Sequence, residues 1–307
     1  MPASTPASAS AEAPAADRRS WRRVLRSATG VAGLLLTAAV ALVGLLADRL
    51  APSDPFTSVG RPLRGPSAAH LMGTDDLGRD ILSGVVHGTR TSLIVASLSV
   101  LIAATIGLLI GALAGYRGGL VDDVLMRVTE VFQACPRFFL AIVAVAFFGA
   151  GLDVLVLVLG LTSWPVLARV VRAETLSLRE REFVDAARAL GASDSRILLR
   201  HVLPSVLPAA WVVVSLLAAS VILMEASLSF LGLGDPNVMS LGYLANNAQR
   251  FIRVAWWMAV FPGLAIVVAV LGLSLVSDAV GDALNPYAVR RRADTTAGSA
   301  VTEPGAV

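Results

Sequence analysis

The chain has 307 residues, 56% of them hydrophobic and only 15% charged, with a formal net charge of +3. A soluble domain of this length rarely carries so much apolar weight, so a membrane protein is the first class to test. The single cysteine, Cys135, excludes an intramolecular disulfide, and the absence of lysine removes the residue a Walker A loop needs, so the chain is not itself a P-loop ATPase.

Residues 1–27 are rich in Ala, Pro and Ser and gather Arg18, Arg19, Arg22, Arg23 and Arg26, which predicts a disordered cytoplasmic tail. The apolar run that follows, Ala28–Ala47, has no convincing cleavage site after it and reads as a retained membrane helix rather than a signal peptide. About 20 apolar residues cross the roughly 30 Å of bilayer hydrocarbon. Five further segments reach that length: Thr91–Ala114, Val124–Phe148, Leu152–Val171, Val206–Leu231 and Val254–Val276. The six leave no block for a soluble domain, so the chain reads as one all-α integral membrane protein. Its parts are a tail (1–27), a first helix with an outer segment (28–90), a membrane core (91–280) and a C-terminal tail (281–307).

In the outer segment, Pro52, Pro55, Pro62 and Pro66 argue against regular structure. The stretch HLMGTDDLGRDILSGVVHGTR follows, where Thr74 is placed to cap a short helix with Asp75 and Asp76 in its first turn. The second membrane helix carries Gly107, Gly111 and Gly115, two overlapping GxxxG spacings that admit close approach of another helix, from this chain or from a second subunit. Pro136 predicts a kink beside Cys135 and Arg137, and Trp256 and Trp257 open the last helix where an interfacial aromatic belt belongs. No internal repeat supports an inverted-repeat transporter.

Five arginines beside the first helix place the N-terminus in the cytoplasm, and six crossings return the C-terminus there with Arg290, Arg291 and Arg292. Counted by segment, 15 arginines fall inside and seven outside. The stretch from Arg181 to Pro208 is then cytoplasmic. Phe183, Ala186, Ala187 and Leu190 share one helical face there, and Asp185 stands four residues from Arg181 and three from Arg188. Gly191 supplies a left-handed stop. Ser193 or Asp194 can cap a second short helix, expected to end before Leu203-Pro204 because a residue preceding proline disfavours helix. Such a pair of amphipathic helices fits a groove on a partner protein or a membrane surface.

Glu225 lies inside the fifth apolar segment, where an ionisable group must face a cavity or a partner, as a pathway residue or as a hydrogen-bonded structural one. The GLGD at Gly232–Asp235 matches intramembrane aspartyl proteases, but no second membrane aspartate in a Tyr-Asp pair accompanies it. DDLGRD lacks the pattern of a calcium loop, and His70, His87 and His201 are scattered.

Asp185-Ala186-Ala187, then Gly191, then Leu203-Pro204 resembles the EAA signature of binding-protein-dependent ABC importer permeases. AGYRGGLVDDVLMR, EASLSFLGLG and AWWMAVFPGLAI, with HLMGTDDLGRDILSGVVHGTR and the loop itself, are similar to the dipeptide/oligopeptide/nickel branch in the expected order, and residues 28–90 resemble the extra N-terminal part of its C-type subunit. The resemblance implies a type I importer fold with six membrane helices in a bacterial cytoplasmic membrane. It also implies a pore shared with a homologous second permease, two cytoplasmic ATPase subunits, an extracytoplasmic solute-binding lipoprotein and surrounding lipid, with no nucleic-acid partner. Chemistry in this chain is not expected: no catalytic residue, metal or cofactor, with ATP bound by the partner ATPases. Carried over by position, Glu182, Asp185, Ala186, Ala187, Arg188, Gly191, Leu203 and Pro204 form the loop that couples to an ATPase groove. The expected solutes are dipeptides, longer peptides, nickel chelates or glutathione-like compounds. The alternative class is a self-sufficient channel or secondary transporter. Two positions depart from the family pattern: Asp185 stands for the usual glutamate, and Leu241 where tryptophan often follows serine.

Overall fold

The computed structural model describes residues 27–284. The arginine-rich tail and Arg290–Arg292, which carry much of the orientation argument, lie outside the described residues. Within them the regular structure is helical, with two isolated bridges, Ser58 to Arg79 and Thr74 to Asp80, pinning the outer segment. The first helix, α1 (Ala28–Leu45), starts at Ser27, whose side chain accepts the Gly30 N–H, and a short turn, α2 (Ala47–Leu50), ends it. The rest of the membrane part is α3 (Ile81–Arg117), α4 (Gly119–Ala134), α5 (Arg137–Phe148), α6 (Leu152–Arg179), α9 (Leu203–Phe230) and α11 (Trp257–Leu284). The loop helices α7 (Glu182–Ala189) and α8 (Asp194–Ile197) precede α9, and α10 (Leu241–Ala248) precedes α11.

Five helical stretches are singly long and apolar enough to cross a membrane, and α4 with α5 makes a sixth as one span bent by 76°. The bend falls at Cys135-Pro136, where proline has no N–H to give the ladder. At 37 residues, α3 is about 55 Å long, well beyond the hydrocarbon thickness. It begins ten residues before Thr91, so the 90/91 boundary falls inside a helix.

The cap of α3 is Asp80, whose Oδ2 accepts from the Ser83 N–H at 2.9 Å and from Ser83 Oγ at 3.0 Å. The helix expected after Thr74 does not form. Thr74 Oγ1 instead donates to the Arg61 carbonyl and accepts from the Arg64 N–H, while Asp75 Oδ1 accepts from Leu77 and Arg79 N–H groups. Side chains suited to a helix cap close a compact turn instead, since Asp and Thr serve both geometries. Burial pushes the Asp75 carboxyl above the usual carboxylate range, and these two N–H bonds offset only part of that rise.

Packing is tightest between α3 and α6. A Cβ built on Gly107 would stand 2.9 Å from Leu167 Cβ, one on Gly115 would stand 2.7 Å from the Arg172 carbonyl, and one on Gly111 would strike the Ala168 carbonyl. The glycine stripe is therefore a seam within the chain. On it Val95, Leu159, Leu167, Val171, Ile222 and Leu228 form the core, with α9 laid across α3 and α6 and α11 between α9 and α1. A second cluster seals the outer segment: Ile81, Leu241, Leu244 and Trp257, with Leu63 and Met72 against them. Trp257 is 8% exposed and its Nε1 donates to the Thr74 carbonyl, so only Trp256, 54% exposed, is free for a membrane interface. Leu241 is buried here, which is why an aliphatic side chain can occupy that position.

Filling the seam is expected to be damaging. Overpacking costs about 1–3 kcal/mol, which for a chain of this size lowers the melting midpoint by several degrees. Gly111→Leu should show that loss in detergent-solubilised protein by thermal unfolding, while Leu109→Ala, on the exposed side of the same helix, should melt like the parent.

A loop hairpin, an enclosed glutamate and the family they belong to

The loop after α6 is held from beneath. Arg179 Nη1 donates to the Gly115 carbonyl at 3.1 Å, joining the ends of α6 and α3, and Tyr116 Oη donates to Asp194 Oδ1 at 2.9 Å. Val184, Ile197 and Val202 are fully buried and anchor α7 and α8 against the core. Glu182 and Asp185 sit in the first turn of α7, where its N–H dipoles favour negative charge.

The apolar face of α7 divides in two. Val184 and, partly, Ala187 turn inward, whereas Phe183, Ala186 and Leu190 turn out, with Leu190 88% exposed. Glu182, Asp185, Arg188 and Gly191 surround this outward patch, and Arg188 Nη1 donates to Asp185 Oδ1 at 3.4 Å across solvent. An exposed pair of this kind contributes little stability.

Gly191 is the joint. Its φ is +79°, its N–H bonds the Arg188 carbonyl and the Ala192 N–H bonds the Ala187 carbonyl, the two bonds of a Schellman stop. A Cβ added there would meet nothing within 4 Å, so only backbone strain opposes a larger residue.

The second limb differs from expectation. α8 does not stop before Leu203-Pro204 but runs through a π-turn, Leu198–Val202, directly into α9. The Leu203 N–H reaches back five residues to the Leu198 carbonyl, and this wider register passes the point where Pro204 has no donor to offer. Ser193 occupies the cap position of α8 without a side-chain cap bond, and Asp194 is taken by Tyr116. Leu203 and Pro204 therefore belong to the base of α9, apart from the exposed patch.

Glu225 sits in α9 at 1% exposure. Its Oε2 accepts from Ser92 Oγ of α3 at 2.8 Å and its Oε1 from Ser229 Oγ, one turn on, at 2.9 Å. Ser240, Thr91 and Asp235 line the same narrow crevice, at the foot of the outer loop. Sequence reasoning found the glutamate but not its serines, which are ordinary in membrane helices and meet only through tertiary packing. It also missed Asp122, whose two carboxylate oxygens accept from Nε and Nη2 of Arg172, a fork-to-fork pair between α4 and α6. Only two opposite charges at the edges of apolar runs could have hinted at it.

A bundle of membrane-length helices, bearing on one loop a short helix with a projecting apolar face, defines a polytopic membrane protein. The chain belongs to the family of binding-protein-dependent transport system inner membrane components, whose model matches residues 107–290. It is a multi-pass inner-membrane permease of such a system. A glutathione transport system permease of Pectobacterium atrosepticum is 40% identical over 272 residues, covering 88% of this chain and 90% of that protein. A dipeptide transport system permease of Alkalihalophilus pseudofirmus is 35% identical (88% and 89% covered), and a putative peptide transport system permease of Brucella suis is 39% identical (86% and 90%). Among solved structures, an inward-facing form of the methionine ABC transporter MetNI matches with a TM-score of 0.55 at 20% identity, over 67% of this chain and 98% of that one, which shows the type I importer fold.

Proposed function

We propose that the chain is one of two homologous permeases of an ATP-driven importer for small peptides. In this reading a solute-binding protein delivers from outside and two cytoplasmic ATPases, which hold the ATP, seat against the loop from Arg181 to Pro208. The substrate class rests on the relatives, whose names specify glutathione, dipeptide and peptide transport, all peptide-like solutes. The coupling role rests on one observation: the Phe183–Ala186–Leu190 face projects from an anchored helix and nothing among the described residues covers it. The chain carries no chemistry of its own in this reading, and its work is movement.

A valine at Gly191 is strained by about 1–2 kcal/mol, roughly a 5- to 30-fold shift in the population of the docking geometry. Gly191→Val should insert normally yet capture several-fold less ATPase on co-purification and lose uptake in parallel, and Asp185→Lys should do likewise by reversing the charge beside the patch. Gly191→Asn, which tolerates the left-handed conformation, should stay near the parent. Full ATPase capture and uptake in both damaging variants would remove the coupling role.

The orientation follows from the arginine distribution. In a Cys135→Ala background, Ser67→Cys should be labelled by an impermeant thiol reagent on intact cells and Ser195→Cys should not. Labelling at Ser195 would invert the topology.

Glu225 is assigned to the pathway wall, because its crevice opens at the foot of the outer loop. Glu225→Gln keeps the shape and the serine contacts while removing the charge. The complex should purify intact and hydrolyse ATP, with dipeptide uptake reduced several-fold; unchanged uptake would leave the glutamate a purely structural role.

A further inference from the structure

α4 has two polar faces. One turns into the chain, where Asp122 holds Arg172 and Thr129 is 1% exposed. The other turns away: Asp123, Arg127 and Glu130 recur at i, i+4 and i+7, a single stripe of a helix, and all three are exposed. Arg127 Nη1 stands 3.3 Å from Glu130 Oε2, with 83% and 62% of the two side chains open.

The neighbouring helix sets the depth of that stripe. Asp122 meets Arg172 near one end of α4, and Phe132 meets Trp164 edge-on, 5.3 Å between ring centroids, near the other. So α4 runs antiparallel along α6 from residue 172 back to 164, not flat on a surface. Trp164 lies near the middle of the 28-residue α6. The stripe therefore runs from the loop-side edge of the membrane, where Asp123 is level with Arg172, into the half of the membrane on that side.

Arg127 and Glu130 facing hydrocarbon at that depth are strongly unfavourable, and an open ion pair returns little against it. The face beside the stripe is of the opposite kind: Val124, Val128 and Val131 are exposed and apolar, which suits lipid or a packed subunit. Two environments must meet along α4, one wet and one dry.

We propose that the Asp123–Arg127–Glu130 stripe lines the aqueous pathway of the assembled permease and offers an acid–base–acid row to a solute bearing both an ammonium and a carboxylate. This rests on the permease reading above and names the wall on the loop side of the membrane. Either end of a peptide zwitterion meets an opposite charge there, and because those charges stay hydrated the contacts are weak and sequential, as passage requires.

The test uses the complete transporter with its partner subunits in lipid nanodiscs, in the Cys135→Ala background. Asp123→Cys, Arg127→Cys and Glu130→Cys are compared with Val124→Cys and Val128→Cys for reaction with a cationic methanethiosulfonate. The stripe positions should react at least tenfold faster than the valine positions. After reconstitution, labelled Asp123→Cys and Glu130→Cys, whose charge is then reversed, should show at least a fivefold loss of radiolabelled dialanine uptake. Stripe positions as slow as the valines would mean that lipid or a second subunit seals them, and fast labelling with full uptake would mean water without transport; either overturns the proposal. The labelling arm needs no solute, so an unlabelled parent that fails to take up dialanine counts against the peptide reading alone.

Discussion

Inside a bilayer, lipid tails are as apolar as leucine, so helices are held together by close contact rather than by exclusion from water. In this chain that contact is the approach of α3 to α6 along Gly107, Gly111 and Gly115, where three side chains are dispensed with so that one backbone can lie on another. Much else is registered from it. Once α6 is fixed on α3, Arg172 faces Asp122, Trp164 faces Phe132 and Arg179 reaches the last carbonyls of α3. Tyr116, at that same end, then holds Asp194 and with it the root of the loop. The position of the exposed patch on α7 thus traces back to three missing side chains on another helix.

Features governed by local rules were legible in the sequence. Apolar run length located the membrane helices, Pro136 located the break, and Gly191 located the left-handed stop. What could not be read was whatever depended on a distant partner. Thr74 has the chemistry of a helix cap, but contacts with residues 61 and 64 take its hydroxyl into a turn instead. Trp257 has the composition of a belt residue, yet Thr74, far away in sequence, supplies its acceptor. The loop was intermediate. Its spacing put Phe183, Ala186, Ala187 and Leu190 on one face, but periodicity did not single out Val184, which is the one buried, or show that Phe183 and Leu190 would be left open. Pro204 misled for a related reason, since the rule against helix before proline assumes α-register and a π-turn steps around it.

The ionisable groups at membrane depth fall into two physical kinds. Glu225 and Asp122 are enclosed, each with both oxygens bonded inside the chain, and both join α3 or α4 to a helix distant in sequence. Asp123, Arg127 and Glu130 are open, bonded at most to each other. The bonds of the first two tie helices together, whereas the open three require that something polar stand beside them.

The π-turn at Leu198–Val202 holds one residue more than an α-helix would need over the same rise. Each residue of this wider turn advances the chain by less than the α-helical value of about 100°, so the spare residue is absorbed locally and leaves the azimuth of α8, Gly191 and α7 around the axis of α9 almost unchanged. Deleting it would return the segment to α-register, with the Phe183–Leu190 face nearly where it stands and Pro204 short of a donor in an unbroken ladder. The spare residue thus serves the proline, and it lets the root of the hairpin and a membrane helix share one axis.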